Sequence, residues 1–164
     1  MITIWKQKEK GLVRTAILER NCWIQVTRPD ALEIETLVRE YKVPEDFIRD
    51  VLDIDERPRS DRENGQSLVI FRVPVFEEGN QVQYYTVPIG VVITPDLVIT
   101  LANTETEIIR DFVTNRANGY DLAKPVNFLL HLVMRTAKHY LGFLKEINRQ
   151  TTLLEDELQA SVKN

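Results

Sequence analysis

The sequence is poor in the residue types on which most catalytic and metal sites depend. It has one cysteine, Cys22, and two histidines, His131 and His139. A single cysteine excludes an internal disulfide and favours a reducing compartment. Because Cys22 lies in the strand-like run Cys22–Val26, we expect it to be a small core residue. The two histidines are eight residues apart on one predicted helix, about 12 Å along its axis, which is too far to share one zinc ion.

Long apolar runs, basic blocks and nucleotide-binding glycine motifs are also missing. No run approaches the roughly 20 apolar residues that cross a bilayer, and residues 1–5 lack the pattern of a signal peptide. The net charge of −4 and the pI near 5.3 argue against a nucleic-acid partner. No P-loop, G-x-G-x-x-G or G-x-S-x-G pattern occurs, so we expect no enzyme. As given, the chain is expected to be soluble and cytosolic.

The order of periodic segments predicts an α+β domain over residues 1–120. Thr27 is the predicted N-cap of a first helix that has Leu32 among its apolar positions. A helix over 105–116 is expected to close at Asn118-Gly119. The strands are predicted at 2–7, 12–18, 22–26, 67–73, 84–93 and 97–101, and a second, short helix begins at Val43-Pro44.

Residues 121–164 read as the start of one long helix, beginning near Asp121 or Pro125. Ten apolar or small residues recur in steps of four and three. This is a heptad pattern, which indicates packing against partner helices. The pattern leaves two alternatives open: it pairs with other helices, or its first half folds back on the sheet with Tyr140 and Leu144 in the core. The pattern continues almost to Asn164, so we expect the chain to be the front part of something longer. Its members are Val126, Leu130, Val133, Ala137, Tyr140, Leu144, Ile147, Thr151, Leu154 and Leu158.

The densest polar segment spans residues 45–63. Asp46, Asp50 and Asp53 are spaced four and three apart, so we expect them to share one face of the short helix. Several carboxylates on one face suit Mg²⁺, which takes one or two carboxylates and keeps most of its waters. The alternative is a solvated face of Asp–Arg pairs. Arg57, Pro58 and Arg59 follow, and a stiff, guanidinium-flanked segment of this kind is expected to fix a junction between elements or subunits.

Several of these pieces, in this order, resemble the CorA family of divalent-cation transporters. The most specific is the short helix that opens at Val43-Pro44 and leads through Asp50-Val51-Leu52-Asp53 into Glu56-Arg57-Pro58-Arg59. The strand Cys22–Val26 before a helix resembles the family's Trp-containing strand. The remaining matches are the sheet segments Tyr85–Thr94 and Leu97–Thr100 and the helix segments Leu141–Asn148 and Leu154–Leu158.

The resemblance implies an αβα sandwich with a mixed central sheet at the cytoplasmic face of the membrane. A long stalk helix would be truncated here before two transmembrane helices. The full-length protein would be a homopentamer, in which Mg²⁺ between neighbouring cytosolic domains holds the closed state. The residue matching a ligand of that site is Asp50. Arg49 and Met134 stand where some family members carry further acidic residues, which argues against a second metal position and leaves its existence open.

The sequence therefore predicts the Mg²⁺-sensing regulatory domain of a CorA-like transporter of Mg²⁺ or of another divalent cation such as Co²⁺. Its partners would be further copies of the chain and divalent cations, with the membrane reached only through missing helices. Two alternatives remain: a soluble scaffold that self-associates through its coiled-coil helix, and a zinc-transporting relative with the same fold.

Overall fold

The computed structural model describes residues 1–163. This part of the chain forms seven strands and four helices. In chain order they are β1 (Ile2–Lys8), β2 (Gly11–Thr15), β3 (Cys22–Thr27), α1 (Ala31–Arg39), α2 (Glu45–Leu52), β4 (Arg59–Glu63), β5 (Gln66–Phe76), β6 (Tyr84–Ile93), β7 (Leu97–Ala102), α3 (Glu107–Val113) and α4 (Pro125–Lys163).

The strands form one mixed sheet in the order β2-β1-β3-β7-β6-β5-β4. The neighbours β3 and β7 run parallel, and the other described pairs are antiparallel. A parallel pair needs a long crossover connection. Here the crossover carries α1, α2 and the three strands β4, β5 and β6. The mixed sheet that the sequence predicts is therefore confirmed.

Helices cover both faces of the sheet, which confirms the predicted αβα sandwich. Adjacent residues of β3 show the division, because successive side chains of a strand point to opposite faces. Trp23 packs with Phe112 of α3 and Phe128 of α4. Its neighbour Ile24 belongs to the opposite core, together with apolar side chains of α1 and α2 such as Phe47.

The first helix begins three residues later than the sequence predicts. Its N-cap is Asp30 and not Thr27, which is the last residue of β3. The Asp30 carboxylate accepts the N–H of Glu33, and the Glu33 carboxylate accepts the N–H of Asp30, so the two residues form a capping box. With this start Leu32 faces solvent, and 74% of its surface is exposed.

Helix α3 is shorter than predicted. It ends at Val113, with Thr114 as its C-cap, so Asn118-Gly119 does not close it. The N–H groups of Arg116 and Ala117 both bind the carbonyl of Asp111, which folds the chain back before the long helix.

The fully buried residues through which the long helix α4 packs on the sheet lie outside the predicted heptad pattern. Phe128, Leu132 and Thr136 are its buried positions, and they follow one another at steps of four. Tyr140 is half-buried, and its hydroxyl donates to the carbonyl of Arg72. Leu144 of the heptad pattern is 53% exposed. The first half of α4 thus folds back on the sheet, while most of the predicted heptad face stays open to solvent.

Candidate metal-binding surface

Helix α2 forms because its charged and apolar residues separate onto two faces. Phe47, Ile48 and Val51 are buried against the sheet, at the spacing that places residues on one side of a helix. Pro44 stands at the N-cap position, and the acidic first turn that follows suits the positive end of the helix. Burial of the apolar face leaves the carboxylates of Asp46 and Asp50 on the outer side.

A glycine in the sheet sets how closely α2 approaches. A Cβ atom at Gly90 in β6 would lie 2.2 Å from Cγ2 of Val51. Real Cβ atoms do not come this close to another carbon, so a larger residue at position 90 would push α2 away from the sheet. The absence of a side chain at Gly90 therefore helps to place the whole acidic helix.

Asp50 belongs to an ion-pair cluster, centred on Arg59, that links α2 to β4. Its Oδ2 atom is bound by the guanidinium of Arg59, the first residue of β4. The same guanidinium reaches Glu56 Oε1 at 3.3 Å and Asp61 Oδ2 at 3.1 Å. The hydrogen bonds to Glu56 and Asp50 outweigh partial burial and raise the pKa of Arg59 above its ordinary value. Three carboxylates thus share one permanent cation.

The second carboxylate oxygen of Asp50, Oδ1, is not bound by Arg59. Among the described contacts, no hydrogen bond reaches Oδ1, and the Nε atom of Arg49 lies 3.9 Å from it. The Asp50 side chain is 23% exposed. One oxygen of this carboxylate is therefore held in place while the other remains available to a cation from solvent.

The other two candidate ligands do not join Asp50 in one row. Asp46 makes an ion pair with Arg49 at 2.7 Å and is largely exposed. The helix ends at Leu52, so Asp53 lies at its end and not within it. Asp53 is the C-cap residue in extended conformation, and its Oδ1 accepts the N–H of Asp55 at 3.0 Å.

The loop that leads into Arg57-Pro58-Arg59 is anchored by a residue that sequence reasoning missed. Arg72 in β5 donates to the carbonyl of Ile54 at 3.0 Å and to that of Glu56 at 2.8 Å. Arg57 and Pro58 are exposed next to these anchored carbonyls. The side chain that fixes this loop comes from a distant strand, and no local pattern in residues 54–59 points to it.

A second polar cluster, also missed, joins the two helices on the opposite face. The Asp111 carboxylate in α3 is almost completely buried and accepts from Nε of Arg135 at 2.7 Å. The Nε2 atom of His139 lies 2.8 Å from the same oxygen, Oδ2. Burial raises the pKa of Asp111, but the hydrogen bonds from Arg135 and His139 outweigh it and leave the pKa below its ordinary value. His139 is thus packed against α3.

Within residues 1–163, no group of three or more His, Cys, Asp or Glu side chains is arranged to hold a metal ion. In the same range, no helix combines the length and the apolar character that a membrane span requires.

Comparison with known proteins identifies structural relatives. The chain resembles the complete CorA magnesium transporter from Methanocaldococcus jannaschii with a TM-score of 0.79 and 20% sequence identity, over 98% of this chain and 51% of that one. The soluble domain of the same transporter matches with a TM-score of 0.78 and 21% sequence identity, over 98% of this chain and 65% of that one. The ZntB cytoplasmic domain from Vibrio parahaemolyticus matches with a TM-score of 0.65 and 13% sequence identity, over 88% of this chain and 62% of that one.

These structures share the fold, and the chain spans about half the length of the complete transporter. Comparison with curated protein sequences gives no match. The model of the family described as CorA-like Mg²⁺ transporter protein matches residues 19–164, which is most of the sequence. The chain therefore belongs to the CorA-like Mg²⁺ transporter family.

Proposed function

We propose that this chain is the regulatory, Mg²⁺-sensing domain of a divalent-cation transporter, and that Asp50 binds Mg²⁺ between neighbouring copies at the cytoplasmic face of a membrane. The observation that supports the proposal is the state of the Asp50 carboxylate. Arg59 fixes one oxygen on the outer side of α2, and Oδ1 stays available. Membership of the transporter family supplies the cation class.

The chemistry of the donors fits a weak regulatory site. Mg²⁺ keeps several of its six waters and needs only one or two protein carboxylates. In the proposed site Asp50 supplies one carboxylate, and a second copy of the chain supplies another. Asp46 and Asp53 already have partners within the chain, so they would act on the ion only through their charge.

Regulation then follows from differential binding. Acidic surfaces of adjacent copies repel each other, and an ion between them removes this repulsion. An ion that binds the closed assembly better than the open one shifts the population towards the closed state. In the full-length protein, proposed to be a homopentamer, high Mg²⁺ would close the pore and falling Mg²⁺ would release it.

Light scattering of the chain with and without about 10 mM Mg²⁺, a saturating concentration for a weak carboxylate site, tests the proposal. We expect a larger mass with Mg²⁺ and no such change in Asp50→Asn. Glu63→Gln is the matched control, because this residue of β4 is also acidic and exposed. If Asp50→Asn assembled with Mg²⁺ as the unmodified chain does, the assignment of Asp50 would be wrong.

A transport measurement tests the same residue in the full-length protein. Asp50→Ala should weaken the inhibition of ion uptake by internal Mg²⁺, while the rate at low Mg²⁺ stays unchanged. Repeating the assay with Zn²⁺ tests the alternative that the full-length protein transports zinc. The alternative is retained because the fold is similar to that of the ZntB cytoplasmic domain.

The exposed apolar residues of α4 favour one further candidate function. Leu154 and Leu158 are each at least 60% exposed, and both lie on the heptad face. A scaffold that associates through this face would form a dimer or trimer whose mass does not respond to Mg²⁺. The light-scattering experiment therefore separates the two functions.

A further inference from the structure

A groove lies on the sheet face opposite α2, where the end of α3 and the loop at residues 116–118 meet the outer side of α4. It encloses about 400 Å³. This volume is within the range of pockets that hold small organic ligands, roughly 300–1,000 Å³. We call it the α4 groove.

The walls of the α4 groove are positively charged. Arg116, Arg135 and Lys138 line it, and no carboxylate is among its lining residues. Asp111 beneath the wall already pairs with Arg135. Arg116 and Lys138 make no ion pair with any residue of 1–163. A concave surface of one charge sign concentrates counter-ions, so this groove attracts anions although the whole chain carries a net charge of −4.

Two of the residues that line the groove are apolar and open to solvent. Met134 and Leu141 line it, and they are 63% and 60% exposed. Large apolar side chains with this exposure gain free energy when a ligand covers them. An inorganic anion would leave these two side chains exposed to water, whereas an anion that also carries an aromatic or aliphatic group would cover them.

Part of the frame of the groove is fixed before any ligand arrives. The Asp111 carbonyl accepts the N–H of Arg116 at 2.8 Å, which holds the loop. The Asp111 carboxylate accepts from Arg135 at 2.7 Å, which holds the facing wall. Because one buried residue positions both sides, binding costs little further ordering of the backbone.

We propose that the α4 groove is a binding site for a small organic polyanion, with its apolar body on Met134 and Leu141 and its anionic groups against Arg116 and Lys138. Nucleoside polyphosphates have this chemistry, since they carry an aromatic base and several negative charges. The proposal does not depend on the Mg²⁺ site, because Asp50 lies on the other face of the sheet.

Isothermal titration calorimetry of the 164-residue chain with ATP tests the proposal, in buffer with EDTA so that no metal takes part. We expect saturable binding that weakens about tenfold in Arg116→Ala and in Lys138→Ala, since each loses a charge-assisted contact. Arg62→Ala is the control: Arg62 is an exposed residue of β4 that also makes no ion pair with the described residues, and this variant should bind ATP normally.

Two further titrations separate the parts of the ligand. Tripolyphosphate should bind more weakly than ATP, and adenosine should not bind detectably. Leu141→Ala should weaken ATP binding and leave tripolyphosphate binding unchanged. The proposal is overturned if ATP does not bind at 5 mM, a concentration of the order expected for weak ligands. It is also overturned if Arg62→Ala weakens binding as much as Lys138→Ala, or if tripolyphosphate binds as tightly as ATP.

Discussion

Asp50 in the last turn of α2 is bound by the guanidinium of Arg59, the first residue of β4. The pair joins two elements that meet at the edge of the sheet, so it stabilises the position of α2. It also gives the carboxylate a resident cation. A divalent ion that binds Asp50 must compete with this guanidinium or use the other oxygen, so Arg59 sets the affinity of the proposed site.

Replacement of Arg59 tests this competition. Arg59→Gln removes a positive charge that Asp50, Glu56 and Asp61 share. We expect the Mg²⁺ concentration for half-maximal assembly to fall about fivefold, since a partly exposed ion pair contributes about 1 kcal/mol. Light scattering over a Mg²⁺ series measures the midpoint.

Arg62→Gln is the control for Arg59→Gln, because it removes a nearby charge that pairs with none of the described carboxylates. Its midpoint should not move. A higher midpoint in Arg59→Gln would mean that the guanidinium positions Asp50 for the ion and does not compete with it.

Asp46 and Asp53 should contribute less than Asp50 to the proposed binding of Mg²⁺. Asp46 is engaged by Arg49, and Asp53 by the N–H of Asp55. We expect Asp46→Asn and Asp53→Asn to raise the midpoint of Mg²⁺-dependent assembly by less than threefold, the effect of one distant charge in water. Asp50→Asn should abolish the response. A complete loss in Asp53→Asn would make that residue a direct ligand.

The contact between Gly90 and Val51 makes a prediction about stability. Gly90→Ala places a Cβ atom 2.2 Å from Cγ2 of Val51, and overpacking of this kind costs about 1–3 kcal/mol. Urea unfolding should show this loss. Gly142→Ala is the matched control, since its added Cβ meets no atom within 4 Å apart from its chain neighbours and the adjacent backbone of α4. It should stabilise α4 by about 1 kcal/mol through helix propensity.

A second substitution shows whether the loss in Gly90→Ala comes from this contact. Val51→Ala removes the two methyl groups that the new Cβ would meet. The double variant should therefore be more stable than the sum of the two single losses predicts. Strictly additive losses would place the strain of Gly90→Ala elsewhere.

Most strands and helices of the fold can be predicted from the spacing of apolar residues, which repeats every 2 residues in strands and every 3.6 in helices. The strand Cys22–Thr27 and the hairpin of Tyr84–Ile93 and Leu97–Ala102 appear within a residue of their predicted bounds, because their side chains are buried apolar residues. Strand β4 was missed, since its sequence Arg-Ser-Asp-Arg-Glu is charged throughout. The signal that marks it is Asn64-Gly65, where both residues have positive φ in a two-residue hairpin turn.

The contacts of the candidate site were less accessible to sequence reasoning. The spacing of Asp46, Asp50 and Asp53 assumes a helix that runs through all three, but the helix ends at Leu52. The partners Arg72 and Ile54 are eighteen residues apart, and Asp111 and His139 are twenty-eight apart. Such pairs depend on how the elements pack, and no local periodicity encodes them. The role of Asp50 in Mg²⁺ binding remains a prediction.

The buried cluster at Asp111 should make stability depend on pH. Hydrogen bonds from Arg135 and His139 hold the pKa of Asp111 below its ordinary value in the folded state. On acidification the unfolded chain therefore takes up this proton first. The carboxylate contributes its full stability above the unfolded pKa of about 3.9, and the contribution is lost as the pH falls through the lower folded pKa.

Asp111→Asn isolates this contribution. At pH 7 the variant should lose about 2 kcal/mol of unfolding free energy, because the amide replaces a buried charged acceptor. The difference from the unmodified chain should shrink between pH 4 and pH 3, where the native carboxylate begins to lose its advantage. Urea unfolding at several pH values measures it. Asp156→Asn, on the exposed end of α4, should cost little at any pH. A difference for Asp111→Asn that stays constant down to pH 3 would show that shape, and not charge, holds α3 against α4.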